Sequence, residues 1–308
     1  MSETLHILGA GSLGLLWAAR CADAGIDCRL ILRTPQALRD WHSRHDQLLL
    51  EQQGCSQTLR VAAELAGDSQ QPIHRLVIAT KAWAVADALD SVAPRLQADS
   101  QLLLLQNGLG SQQAVRARLP SQQVLYASVT DGAWKREANH VVWAGIGQTL
   151  VGDPQQRPAP DWLALLGHAG IDWRWEPQIM PVLWLKLAVN CAINPISALH
   201  DCANGEVPER AGASFAPLLA ELHALLASQD VALSLPQLRE RILGVIQATA
   251  ANSSSMRQDL TAHRRTEIDF ILGHACRTAR RVGLATPVLD ALYRQLQNRL
   301  AELGLPQD

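Results

Sequence analysis

Six residues near the start of the chain, Gly9-Ala10-Gly11-Ser12-Leu13-Gly14, constrain the fold more than any other feature. They follow an apolar run, Leu5–Leu8, and open a segment with Leu13, Leu16, Trp17 and Cys21 at helical spacing. A second apolar run, Cys28–Leu32, comes next. Strand, glycine-rich turn, helix and strand in this order form the βαβ unit that binds a dinucleotide. The first glycine makes the tight turn, and the second lets a pyrophosphate approach the backbone. The third lets helix and strand pack closely, with phosphate at the helix N-terminus. A glycine-rich turn that holds no ligand is the competing reading of the same six residues.

Further apolar runs at Leu76–Ala79 and Leu102–Leu105 read as buried strands. Strands alternating with helical patterns predict right-handed βαβ units and a parallel sheet. After Val124–Val129 the texture changes. His140–Trp143 and Thr149–Val151 read as short strands joined in a hairpin around Gly145 and Gly147. Asp153–Asp161 reads as a loop with three prolines, and Asp172–Trp175 as another strand. From Pro177 onward the chain reads as helical, with helices expected at Met180–Ile193, Phe215–Ser228, Leu235–Ala248, Met256–Arg281 and Pro287–Leu303. Ser253-Ser254-Ser255 forms an N-cap cluster and Gly283 a C-terminal stop. The expected organisation is α/β: a dinucleotide-binding domain at 1–177 and a helical domain at 178–308.

Composition narrows the function classes. With 27 basic and 29 acidic side chains the net charge is -2, and no Lys/Arg cluster exceeds two residues. That argues against nucleic acid as a partner. The six cysteines show no CxxC pair and the ten histidines no HExxH, so neither a disulfide framework nor a metal site is expected. The expected setting is the cytoplasm with reduced thiols. No leader pattern is read at the N-terminus, and no run approaches the ~18 uninterrupted apolar residues of a membrane span. The most apolar stretches, Leu13–Leu32 and Met180–Ile193, are broken by charged or amide side chains. Monomer and homodimer both fit.

Only Lys81, Lys135 and Lys186 are lysines; every other basic residue is arginine. Arginine cannot give up a proton near neutral pH, whereas a desolvated lysine can. Lys186, Asn190 and Asn194 lie at i, i+4 and i+8 and so share one face of an otherwise apolar helix. They need polar partners there, which a substrate carboxylate and carbonyl would supply. Apolar neighbours should lower the pKa of Lys186 and suit it to proton donation. A lysine snorkelling at a domain seam would show the same spacing. Ser255, Asp259, His263 and Glu267 also recur every four residues, and for Asp259 and His263 a solvated face is expected. Lys81 and Asn107 each follow a strand, where ligands bind in open α/β sheets. The second strand ends at Leu32-Arg33-Thr34 with no carboxylate for a ribose 2′-OH. Arg33 can instead pair with a 2′-phosphate, which favours NADP over NAD.

Taken together, these segments resemble the ketopantoate reductase (2-dehydropantoate 2-reductase) family over nearly the whole chain. The resemblance is carried by LGAGSLG, ILRTPQ, TKAWAVADAL, QNGLG, WLKLAVNCAINPISAL, the Asn204-Gly205 pair and SSSMRQDLTAHRRTEIDFI. It implies a Rossmann-type N-terminal domain, a helical C-terminal domain, and a site in the cleft. It implies NADPH-dependent reduction of 2-dehydropantoate to (R)-pantoate in pantothenate synthesis. By that likeness Lys186 is the proton donor, and Asn190, Asn194, Asn204 and Ser255 bind substrate. Asn107 touches both ligands, and Glu267 lies by the nicotinamide and the substrate hydroxyl. Lys81 joins the cofactor site and Ala133 lines its pocket. The alternatives are a paralogue reducing another 2-keto acid, a β-hydroxyacid dehydrogenase, and a nucleotide-binding sensor without catalysis.

Overall fold

Leu5–Leu8 and Cys28–Leu32 pair in parallel with their side chains almost wholly buried. They are neighbouring inner strands of an eight-stranded sheet. In the computed structural model, which describes residues 4–308, the chain divides into two compact units. One runs to Gln106 and resumes over Ser111–Ile179; the other comprises Asn107–Gly110 and Met180–Asp308.

In the first unit the strand order is Trp173–Trp175, Thr149–Gly152, Gln123–Val129, Leu96–Leu104, Ile73–Ile78, Leu5–Leu8, Cys28–Leu32, Ala62–Leu65. The six strands from Gln123–Val129 to Ala62–Leu65 are parallel, and Thr149–Gly152 joins antiparallel. From Leu5–Leu8 the chain first builds outward in one direction and then returns to add Ile73–Ile78 on the other side. The order therefore reverses beside Leu5–Leu8, the place where open α/β sheets bind ligands.

A second sheet, in the order Cys55–Arg60, Gln47–Gln52, His140–Gly145, Gly132–Glu137, supplies core residues such as Leu48, Leu50 and Val141. Helix Ser12–Asp23 shares that core through Leu15, Leu16 and Trp17. Every residue from Gly14 to Cys21 is buried. The helix is thus covered all round, and the one-sided face predicted from Leu13, Leu16, Trp17 and Cys21 is too narrow. The expected hairpin at 140–151 does not form either. His140–Gly145 lies in the four-stranded sheet and Thr149–Gly152 in the eight-stranded one. The chain crosses between them at Gly147, where a Cβ would stand 2.2 Å from the Thr130 carbonyl carbon.

The second unit is helical. Helix Ile179–Leu199 runs through Pro195, which removes the N–H that the Cys191 carbonyl would otherwise accept. It is long and apolar enough to cross a membrane by length and composition, but 61% of its most apolar window is buried inside the protein. Phe215–Ala227 and Leu235–Ala248 follow, the latter capped by Ser234 and Gln237. Pro287–Glu302 begins where the Glu221 carboxylate accepts the Val288 and Leu289 N–H groups, each at 2.9 Å.

The single helix expected over Met256–Arg281 is a correction. Ser255–Thr261 ends at Ala262, and His263 adopts a left-handed φ of 49°. A π-helical turn, Asp269–Gly273, then leads into His274–Arg281. The four-residue repeat is therefore no continuous stripe. His263 is exposed, whereas Asp259 is buried and accepts from the Arg264 Nε at 3.1 Å, so a solvated face is wrong for it.

Candidate functional site

The glycine turn leaves Leu5–Leu8 at its C-terminal end. Gly9 has φ 107°, and a Cβ there would stand 2.7 Å from Thr80 Cγ2. At Gly14 a Cβ would fall 2.0 Å from the Gly9 carbonyl oxygen. Gly11 is different: a Cβ would meet only the Ala79 oxygen, at 3.5 Å. The outer two glycines are thus crowded by the protein's own atoms, the Thr80 side chain at Gly9 and the Gly9 carbonyl at Gly14, and the middle one keeps an open approach. Helix Ser12–Asp23 starts at Gly11 with no side chain capping its first N–H groups. Uncapped amides at the positive end of a 12-residue helix favour an anion. Two buried acceptors near this turn, Gln106 Oε1 and Thr80 Oγ1, have no hydrogen-bond partner in the protein, although Gln106 Nε2 donates to Ile78 O and Thr80 O. These features fit a dinucleotide.

Arg33 is exposed just past Cys28–Leu32, with no ion pair among the described residues. Thr34 beside it accepts from the Ala37 N–H and caps helix Pro35–Ser43. Lys81 is half-buried after Ile73–Ile78, at the start of a short 3-10 turn, Ala82–Ala84. Ala133 is half-buried on Gly132–Glu137, in register with Trp143. The Trp143 indole donates to Asp131 Oδ1 at 3.0 Å, and Arg20 stacks on its ring at 4.2 Å.

In the second unit Lys186, Asn190 and Asn194 lie on helix Ile179–Leu199 as their spacing requires. Lys186 and Asn190 are half-buried and Asn194 is buried. Burial pushes the Lys186 pKa down to about 8, while the Glu267 carboxylate pulls it upward. An amine near that value can exchange a proton in the neutral range. Glu267 is buried, at the end of the irregular stretch after Ser255–Thr261, and its carbonyl accepts from the Phe270 and Ile271 N–H groups. The π turn leaves the Phe270 carbonyl to accept from the Leu109 N–H at 2.8 Å. That contact holds the Asn107–Gly110 loop in the same unit. It requires Gly108, with φ 78°, because a Cβ there would lie 2.3 Å from the Phe270 oxygen.

Asn204 is buried; its Nδ2 donates to Thr249 Oγ1 at 3.0 Å while its Oδ1 has no partner in the protein. Such an orphaned acceptor suits a ligand hydroxyl. Ser255 is exposed at the first residue of its helix. Its neighbour Ser254 is the buried one, capping that helix through the Arg257 N–H and hydrogen-bonded to Ser197 Oγ at 2.7 Å. Sequence reasoning did not separate these serines, because both fit an N-cap. It also assigned nothing to Lys135, whose ammonium donates to the Ala10 carbonyl inside the glycine turn at 3.1 Å. Its rarity was the only signal.

A parallel sheet with a glycine turn at its switch point, followed by a helical unit carrying a lysine of lowered pKa, is an arrangement that suits a nucleotide-dependent oxidoreductase. Residues 5–156 match the family described as ketopantoate reductase PanE/ApbA, and residues 178–300 match its C-terminal counterpart. The chain belongs to the ketopantoate reductase family. It is 38% identical to the 2-dehydropantoate 2-reductase of Vibrio cholerae, over 94% of this chain and 96% of that one. The fold superimposes on a PanE/ApbA family ketopantoate reductase from Ralstonia eutropha with a TM-score of 0.87 and 24% identity, covering 98% of this chain and 100% of that one. It also superimposes on a D-mandelate dehydrogenase solved with NADH and anilino(oxo)acetate, with a TM-score of 0.89, 20% identity and the same coverage.

Proposed function

We propose that the protein reduces 2-dehydropantoate to (R)-pantoate with NADPH, the step that supplies pantoate for pantothenate synthesis. The observation that carries this reading is Lys186, its pKa lowered to about 8, on one helix face with Asn190 and Asn194. The relatives named 2-dehydropantoate 2-reductase support the substrate.

Gly9, Ala10, Gly11, Ser12, Leu13 and Gly14 would hold the pyrophosphate, with Lys81, Asn107, Ala133 and Glu267 along the rest of the cofactor. When bound, NADPH supplies the hydride. The protein's own residues do the remainder. Asn190, Asn194 and Ser255 hold the keto-acid carboxylate, and the Asn204 carboxamide oxygen accepts from the substrate hydroxyl. Asn107 orients both ligands. The Lys186 ammonium polarises the ketone oxygen and gives it a proton as negative charge develops there. Glu267 keeps Lys186 protonated and fixes its head, a positioning task that buried carboxylates perform well.

The test is NADPH oxidation against a panel of 2-keto acids that includes ketopantoate and benzoylformate. A kcat/KM highest for ketopantoate supports the reading, whereas preference for another acid makes the protein a paralogue. No turnover with any of them would leave a sensor.

Cofactor choice turns on Arg33. Arg33→Ala is expected to raise the KM for NADPH at least tenfold, because a charge-assisted bond to the 2′-phosphate is worth about 1.5–3 kcal/mol. The KM for NADH should move little. Equal effects on the two cofactors would remove Arg33 from that role.

A further inference from the structure

Lys135 lies on Gly132–Glu137, the edge strand of the four-stranded sheet, and reaches the glycine turn. Its ammonium donates to the Ala10 carbonyl oxygen at 3.1 Å, and both residues belong to the first unit. The side chain is exposed overall, but its end is partly desolvated, which lowers its pKa. Among the described residues no carboxylate forms an ion pair with it. The acid closest in sequence on one side, Asp131, serves Arg20, Trp143 and the Gly147 N–H.

This is an unfavourable place for a cation. Helix Ser12–Asp23 presents its positive end here, with its first N–H groups uncapped. Asp and Glu are the residues that stabilise such a position, and the first turn contains neither. A lysine and a helix N-terminus converging on one turn repel each other until an anion lies between them. The single carbonyl contact leaves two ammonium protons to donate.

We infer that Lys135 is a cofactor-binding residue, a clamp on the pyrophosphate at the glycine turn. The inference rests on the dinucleotide reading above. It differs from Arg33 in what it recognises: pyrophosphate is common to NADPH and NADH, so Lys135 contributes affinity without selecting between them.

The experiment measures dissociation constants of NADPH and NADH for the whole enzyme by fluorescence titration, together with kcat at saturating cofactor and the melting temperature without ligand. Lys135→Gln should weaken both cofactors by a similar factor, about 10–30-fold. It should leave the unliganded melting temperature unchanged or raised, and any loss of kcat at saturating cofactor should be smaller than the loss of affinity. Lys135→Arg should restore most of the affinity and salt dependence, since it keeps the charge. If Lys135 only tethers the strand to Ala10, the melting temperature falls while affinity in the folded enzyme is kept, and the clamp is refuted. Loss confined to NADPH would move Lys135 to the 2′-phosphate and refute the pyrophosphate assignment. Failure of the wild-type protein to bind either cofactor would instead refute the underlying reading.

Discussion

Lys186→Ala should lower kcat by about 10²–10⁴-fold while NADPH binding is retained, because removal of a general acid costs that much when the rest of the site stands. The arginine variant separates the possible roles. Lys186→Arg keeps a positive charge that can still polarise a ketone, but it cannot deliver a proton near pH 7. It should therefore remain severely impaired. Near-normal turnover in that variant would leave Lys186 as an electrostatic anchor. The pH profile adds a second readout. With a pKa of about 8, Lys186 is protonated below that value, so turnover should fall as pH rises through it. Glu267 holds the pKa up, so Glu267→Gln should shift the alkaline limb to lower pH. The same shift bears on stability with a definite sign. Between about 8 and the ordinary lysine value the unfolded chain binds more protons than the folded one, and stability from this group rises with pH. Denaturant titrations at both ends of that window should show wild type gaining on Lys186→Ala. A wild type that loses ground to Lys186→Ala as pH rises would mean Lys186 is not desolvated.

How much of this was legible in the sequence depends on where each determinant lies. Leu5–Leu8, Cys28–Leu32 and Leu235–Ala248 have the predicted boundaries, because short, mostly apolar runs and helical periodicity are local signals. The four-stranded sheet was not legible as a unit. Cys55–Arg60 is polar and exposed, Gln47–Gln52 buries only Leu48 and Leu50, and His140–Gly145 finds its parallel partner some ninety residues earlier in the chain. Periodicity also failed at 256–281. A four-residue repeat of polar side chains reads as one helix, yet the left-handed His263 and the π turn break it. That break exists for non-local reasons: the Phe270 carbonyl serves Leu109, and Asp269 serves Tyr293 and Arg277. Lys186, Asn190 and Asn194 were readable because helical spacing alone puts them on one face. The partnerless Asn204 oxygen and the Lys135 contact were not, since each depends on a residue far away in sequence.

The glycine turn gives the other large effect, and the same glycine-to-alanine change at two positions three residues apart should fail differently. A methyl at Gly14 meets the Gly9 carbonyl, 2.0 Å from its oxygen, and the Ala79 Cβ at 3.2 Å. Neither can yield without moving the turn away from helix Ser12–Asp23, whose remaining faces are already buried. Overpacking of this kind costs about 1–3 kcal/mol or more. Displacement of the turn by about 1 Å misplaces whatever ligand it positions, at a cost of roughly 10²-fold in rate. Gly14→Ala should therefore lower the unliganded melting temperature and cut NADPH affinity together. Gly11 has a φ of -79°, which alanine adopts freely, and its methyl would touch only the Ala79 oxygen at 3.5 Å. Gly11→Ala should leave the free protein as stable as wild type, yet lose affinity for NADPH and NADH alike, because the methyl occupies the approach that a pyrophosphate needs. Melting curves without ligand and titrations with both cofactors, made on the two variants side by side, decide the matter. If Gly11→Ala binds NADPH as tightly as wild type, the turn is a packing element only, and the phosphates must lie elsewhere.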